Sequence, residues 1–172
     1  MVRLLDPVLF PEETLNSFYR FALLVTGDAH AAEQLLAESL AEVEMRIGHL
    51  RNVSRRKAWL IRRLRQRIAS LEIGPARTPR LLREEAVDAD GREILEIEAY
   101  ILAQHFATLP EPERSSLALF YLKIFPLREL PELLDLELED LASALDRGRQ
   151  QLRTSLHEHP SFSSLCHEAE DR

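Results

Sequence analysis

One cysteine, Cys166, among 172 residues excludes a disulfide framework within the chain. Glycine is also scarce, at five residues, and no run of alternating β-branched residues suggests a strand. No uninterrupted apolar stretch approaches the roughly 18 residues that a membrane-spanning helix needs. The opening MVRLLDPVLFPEET has no basic start, apolar run and small-residue cleavage site, so nothing in it directs secretion and a cytoplasmic location is expected. Catalytic signatures are missing too. There is no phosphate-cradling glycine loop, no His and nucleophile in an evident frame and no metal motif, so neither an enzyme, a cofactor nor a small-molecule substrate is expected. His157, His159, Cys166 and His167 could bind zinc, but their spacing matches no common site, and a flexible tail with scattered histidines is the reading adopted.

What is present is helix-forming and charged. Hydrophobic residues make up 45% and charged residues 30%, the balance of a folded helical protein. The net charge of -7 argues against nucleic acid until its distribution is considered. Residues 1–50 carry three basic and eight acidic groups, 51–83 eleven basic and one acidic, and 84–172 eight basic and twenty acidic. Nearly all the positive potential therefore sits in one short central segment between two acidic ones.

Apolar positions recur at helical spacing almost throughout, which predicts an all-α fold. A first helix is expected after Pro11, with Glu12 and Glu13 favouring its dipole and Leu15, Phe18, Tyr19, Ala22 and Leu23 buried. Thr26, Gly27 and Asp28 end it, and Asp28 can cap a second helix that buries Ala32, Leu35, Leu36, Leu40, Val43 and Ile47, with Gly48 near its end. A third helix, from about Ser54 to Leu71, buries Leu60, Ile61, Leu64 and Ile68 and crowds arginine onto its other faces.

Gly74, Pro75, Pro79 and Gly91 punctuate a stretch without sustained periodicity, which reads as a linker over 73–91. Two small helical domains are thus expected, at 1–72 and 92–158, with a flexible tail at 159–172. The second domain should hold a helix with Ile94, Ile97, Ile101 and Leu102, the Leu109-Pro110-Glu111 break, and a helix with Leu117, Phe120 and Tyr121. A short helix with Leu127, Leu130 and Leu133 and a last one with Leu138, Leu141, Leu145, Leu152 and Leu156 follow. The short helix, the turn at Asp135-Leu136-Glu137 and the last helix have the dimensions of a helix-turn-helix.

Over most of its length the sequence resembles the extracytoplasmic-function (ECF) bacterial sigma factors. Phe18-Tyr19-Arg20-Phe21-Ala22, Thr26-Gly27-Asp28, Ala32-Glu33, Glu38 and Ala58-Trp59-Leu60 look like their region two in order and spacing. Leu109-Pro110, Glu129-Leu130, Glu132-Leu133-Leu134 and Leu145 with Arg147 and Arg149 look like their region four. The resemblance implies RNA polymerase core and promoter DNA as partners, and an anti-sigma factor as a further one. It puts polymerase contact on Glu33, Gln34, Ala37 and Glu38, and upstream-element recognition on the third helix.

The departures are specific. Where the family usually places an aspartate after the Ala-Glu pair and a glutamine before the later Glu, this chain has Gln34 and Ala37. In region four Pro131 and Asp135 replace the usual alanine and turn glycine, so the short helix is expected to be kinked or reshaped at Pro131.

Two surfaces carry the candidate chemistry. Arg51, Arg55, Arg56, Lys57, Arg62, Arg63, Arg65 and Arg67 lie within 51–68 with no acid among them. Phosphates reward such a cluster by counterion release and bidentate guanidinium contacts, and Trp59 could stack on an unpaired base. The alternative is that the arginines pair with acids of neighbouring elements and Trp59 packs in the core. The start of the last helix reads differently: from Glu129 to Asp146 there are seven acids and no base. Its altered recognition surface comprises Glu137, Glu139, Asp140, Ser143, Arg147 and Arg149. A duplex with one negative charge per roughly 1.7 Å would be repelled there, while Ala142 and Ala144 offer no hydrogen bond to a base edge. Ordinary region-four promoter reading is expected to be lost or heavily changed. Two functions remain open: sigma-type transcription initiation with DNA held mainly by the third helix, or a sigma mimic without DNA contacts that binds an anti-sigma factor or another regulatory partner.

Overall fold

The computed structural model describes residues 10–46, 52–70 and 92–157. Seven α-helices and one 3-10 turn account for the regular structure among them: α1 (Glu12–Thr26), α2 (Ala29–Arg46), α3 (Val53–Ser70), α4 (Arg92–Ala107), α5 (Glu113–Leu122), the 3-10 turn (Leu127–Glu129), α6 (Leu130–Leu134) and α7 (Leu138–His157). The all-α expectation holds. The linker expected over 73–91, the tail at 159–172, and Ile47, Gly48, Arg51, Leu71, Cys166, His159 and His167 lie outside the described residues.

Helix starts and stops follow the local chemistry. Pro11 stands at the N-cap of α1, with Glu12 and Glu13 in the first turn. Gly27 ends that helix in the left-handed region at φ 68°, donating its N–H to the Leu23 carbonyl. The position requires glycine for a second reason: a Cβ there would lie 2.8 Å from the Cβ of Ala107. Asp28 then caps α2 as expected, its carboxylate accepting from the Ala31 N–H at 2.7 Å.

The core is continuous across the chain. Phe18, Phe21, Ala22 and Val25 of α1 are fully buried, with Ala32, Leu35, Leu40 and Val43 of α2 and Leu60, Ile61, Leu64 and Ile68 of α3. Each large side chain so buried contributes about 1.5–3 kcal/mol relative to exposure. Phe106, Leu109, Leu117, Leu119, Leu130, Leu133, Leu134 and Leu141 extend the same cluster. The stripe expected on α1 is displaced: Leu15, Tyr19 and Leu23 are only partly buried, whereas Phe21 and Val25 are inside. The reason is that α1 packs against α2 on one side and against α4 and α5 on another, so its apolar face is wider than a three-helix lobe would need.

In the second half, α5 buries Leu117, Ala118 and Leu119, while Tyr121, Leu127 and Leu138, which continue the apolar pattern of their helices, are exposed. Pro131 reshapes the short helix as anticipated, and the geometry is specific. The segment splits into the 3-10 turn and the five-residue α6, leaving Pro131 in a first helical turn where its missing N–H removes no hydrogen bond. Asp135 takes over the work of the turn glycine at φ 56°, and the Leu136 N–H closes on the Pro131 carbonyl at 3.0 Å. No described helix is long and apolar enough to cross a membrane.

Candidate nucleic-acid interface

α3 exists because its apolar stripe, Leu60, Ile61, Leu64 and Ile68, falls at the i, i+1, i+4, i+8 spacing of one helix face. Every other face carries cations, and the structure divides them into three sets. The first faces α2. Arg63 holds Glu42 with a two-point contact, Nε to Oε2 at 2.6 Å and Nη2 to Oε1 at 2.9 Å. Arg67 contacts both Glu38 and Glu42. Hydrogen bonds from Arg63 and then Arg67 hold the Glu42 carboxyl down to about 2, against an ordinary value of 4.5. The Arg63 guanidinium is correspondingly raised, chiefly by its bond to Glu42.

The second set faces α6. Arg62 donates to the Glu132 carbonyl at 3.2 Å and lies 3.7 Å from that residue's carboxylate. Arg65 donates to the carbonyls of Leu133 at 3.2 Å and Leu134 at 3.4 Å. These are last-turn carbonyls of a helix, which lack intrahelical partners and carry the negative end of its dipole. The third set lies toward the start of α3: Arg55 is exposed and Arg56 and Lys57 are half-buried.

Trp59 is partly buried against the core, and the Arg46 guanidinium sits 5.7 Å from its ring centroid. Glu42, Arg46, Trp59, Arg62, Arg63 and Gln66 together line a shallow pocket between α2 and α3. The reading in which the arginines pair with neighbouring elements holds for Arg62, Arg63, Arg65 and Arg67, all of which have protein partners.

On α2, the candidate polymerase-facing residues Glu33, Gln34, Ala37 and Glu38 all project to the surface on one side. Gln34 donates to Glu38 at 3.0 Å, and Glu38 also meets Arg67, so this patch joins the network on α3. Burial, with Glu33 and Asp28 nearby, pushes the Tyr19 hydroxyl upward.

The altered helix-turn-helix surface is likewise assembled. Glu137, Glu139, Asp140 and Ser143 are exposed at the start of α7. Arg147 is drawn away from that end, donating to the buried Glu113 of α5 at 2.7 Å, and Arg149 pairs with Asp146 and lies over the Phe120 ring. Ala142 is exposed, but Ala144 is buried and faces the core, so only the former could approach a base edge.

Three participants escaped the sequence reading. Glu42 is the hub of the α2–α3 network; its signal was the Glu38/Glu42 pair at i, i+4 on one helix opposite Arg63/Arg67 at i, i+4 on the next. Glu113 is a buried acid paired across to α7. Arg114 donates to the carbonyls of Val25 at 3.3 Å and Ala107 at 3.1 Å, tying the ends of α1 and α4, and nothing in its sequence context marks it. Among the described residues no group of three or more metal-ligating side chains comes together.

The described residues thus place an arginine-rich helix against a partner helix with an acidic hub, followed by a reshaped helix-turn-helix. The chain is similar to the ECF RNA polymerase sigma factor SigM of Bacillus subtilis (strain 168), with 29% identity over 147 residues that cover 81% of this chain and 88% of that relative. No family model and no solved structure matches the chain. The extent of the match across both halves supports its place among the ECF sigma factors.

Proposed function

We propose that this protein is a sigma-type transcription initiation factor that engages RNA polymerase core through the exposed face of α2 and holds promoter DNA mainly through α3. The strongest support is the run of seven cations on α3 without an acid, in a chain similar over four-fifths of its length to a protein named as a polymerase sigma factor. Exposed helix faces normally mix signs, and a single-sign face of guanidinium groups suits phosphate. The same reading makes the protein non-enzymatic and cytoplasmic, with units at 1–72 and 92–158 joined by a linker. The start of α7 contributes little to duplex binding, because its exposed carboxylates repel phosphate.

The test is binding of the purified chain to core polymerase, followed by retardation of a forked DNA duplex at two salt concentrations. Arg55 and Lys57 make the cleanest probes, since they have no role in holding α2 or α6. Arg55→Ala with Lys57→Ala should weaken binding and reduce the salt slope by about two, one per lost phosphate contact. Absence of both polymerase binding and DNA retardation would refute the proposal. It would favour a second reading, in which the chain presents sigma-shaped surfaces to an anti-sigma factor. That reading draws on the acid-rich recognition turn and on the protein partners already held by four of the arginines.

A further inference from the structure

We infer that Arg67 is a positioning residue for polymerase binding: it bridges Glu38 to Glu42 and, with Gln34, fixes the direction in which the Glu38 carboxylate meets its partner. The inference rests on the reading of α2 as the polymerase-facing helix, and it assigns Arg67 to that face rather than to DNA.

Gln34, Glu38 and Glu42 recur at i, i+4 along one stripe of α2, and Arg63 and Arg67 lie at the same interval on α3. The two arginines treat that stripe differently. Arg63 meets a single carboxylate, with Nε and Nη2 on the two oxygens of Glu42 at 2.6 and 2.9 Å. Arg67 spreads its terminal nitrogens over two carboxylates, Nη1 on Glu38 and Nη2 on Glu42, and its buried Nε has no hydrogen-bond partner. A guanidinium gains most from a two-point contact with one carboxylate. Arg67 forgoes that contact and leaves a donor unsatisfied, so its geometry suits holding two acids in register more than pairing strongly with either.

Glu38 is the acid that this bridge presents. Its Oε2 accepts from Arg67 and its Oε1 from the Gln34 amide at 3.0 Å, while 45% of the side chain stays exposed. Two carboxylate oxygens offer about four acceptor sites, so these bonds fix the group and still leave sites for an incoming donor. Packing would not fix it, because Glu38 borders a cavity of about 310 Å³ lined with Ala31, Gln34, Leu35, Arg67 and Ser70. A freed Glu38 is a rotamer-rich side chain that polymerase must immobilise on binding, which weakens affinity roughly two- to tenfold.

Gln34 contributes the other half of the clamp. Gln34→Glu keeps the size of the side chain, removes the donor and sets a like charge one turn from Glu38. If negative charge alone recruited polymerase, this variant should bind more tightly. Positioning requires it to bind less tightly.

The test is a double-mutant cycle on the full chain, read as affinity for core polymerase without DNA, which keeps the DNA contacts of α3 out of the measurement. Arg67→Ala should weaken binding roughly two- to tenfold, and should cause no further loss in a Glu38→Ala background. Thermal unfolding should register Arg67→Ala in both backgrounds, because its Glu42 contact is lost in each. A merely structural effect on affinity would persist in the same way. Gln34→Glu should also bind more weakly, with unchanged helicity by circular dichroism. Equal losses of affinity in the two backgrounds, or tighter binding by Arg67→Ala or Gln34→Glu, would overturn the inference and leave the polymerase-binding reading intact. Failure of the wild-type chain to bind core polymerase would overturn both together.

Discussion

Replacing Glu42 with glutamine keeps the size of the side chain but removes the charge on which Arg63 and Arg67 converge, and turns one of its two acceptor oxygens into an NH2 donor facing guanidinium donors. The carboxyl is held at about 2 rather than at 4.5. A fall of that size corresponds to at most roughly 3 kcal/mol of preferential stabilisation of the ionised form in the folded state. The side chain of Glu42 is 20% exposed and its partners 31% and 26%, so water screens part of the interaction. A loss of about 1–2 kcal/mol is therefore expected on Glu42→Gln at neutral pH, and at about 2–4 °C per kcal/mol this lowers the melting temperature by about 2–8 °C. The pH dependence follows from the sign. A carboxyl depressed in the folded state contributes its full stability above the unfolded value near 4.5 and loses it as pH falls toward about 2. The gap between wild type and Glu42→Gln should thus be full at pH 7, shrink below about 4.5 and be largely gone near 2. Thermal unfolding followed by circular dichroism across that range measures it. Equal melting temperatures at pH 7, or a gap of constant size down to the lowest pH, would refute the assignment of Glu42 as the hub.

Gly148→Ala should destabilise the chain although alanine is the better helix former: a Cβ there would lie 2.6 Å from Leu117 Cδ1 and 3.2 Å from Glu113 Cβ. A propensity gain of about 1 kcal/mol is set against about 1–3 kcal/mol of overpacking, and denaturant unfolding should register a net loss. Asp135→Gly should stabilise by about 0.5 kcal/mol, because the left-handed conformation at φ 56° strains an L residue slightly more than glycine's extra unfolded-state freedom costs; Asp135→Val should lower the melting temperature clearly. Neutralising the α7 turn with Glu137→Gln, Glu139→Gln and Asp140→Asn should raise affinity for duplex DNA several-fold at low salt and little at high salt, as measured by retardation.

The elements most legible in the sequence are those that one physical rule determines alone. Pro11, the Thr26-Gly27-Asp28 turn and the Asp28 cap could be read directly, because capping depends on a few adjacent residues. The apolar stripes of α2 and α3 were legible because each buries one narrow face. Reading failed where burial depends on a distant partner. Phe21 and Val25 are inside because α4 and α5 cover the far side of α1, and Tyr121, Leu127 and Leu138 are outside although they continue a periodic pattern. The α3 cations were visible as a cluster, but not their division among Glu38, Glu42 and the end of α6, which is set by how helices 68 to 70 positions apart meet.

That division changes what the cationic helix means electrostatically. Counted along the sequence, α3 offers seven positive groups to solvent. Counted in the fold, Arg63 and Arg67 are matched by two carboxylates, and Arg62 and Arg65 are met by the acceptor end of α6. A duplex approaching this face must therefore displace contacts as well as counterions, and the two kinds of contact differ in how easily they yield. The Glu42 pair is two-point, four-fifths buried and local to α2 and α3, so its loss leaves a desolvated carboxylate behind. The α6 contacts join elements far apart in the chain, involve an Arg62 side chain nearly half exposed, and leave behind carbonyls that water can reach once the helices part. Loss of the α6 contacts should therefore cost less than loss of the Glu42 pair.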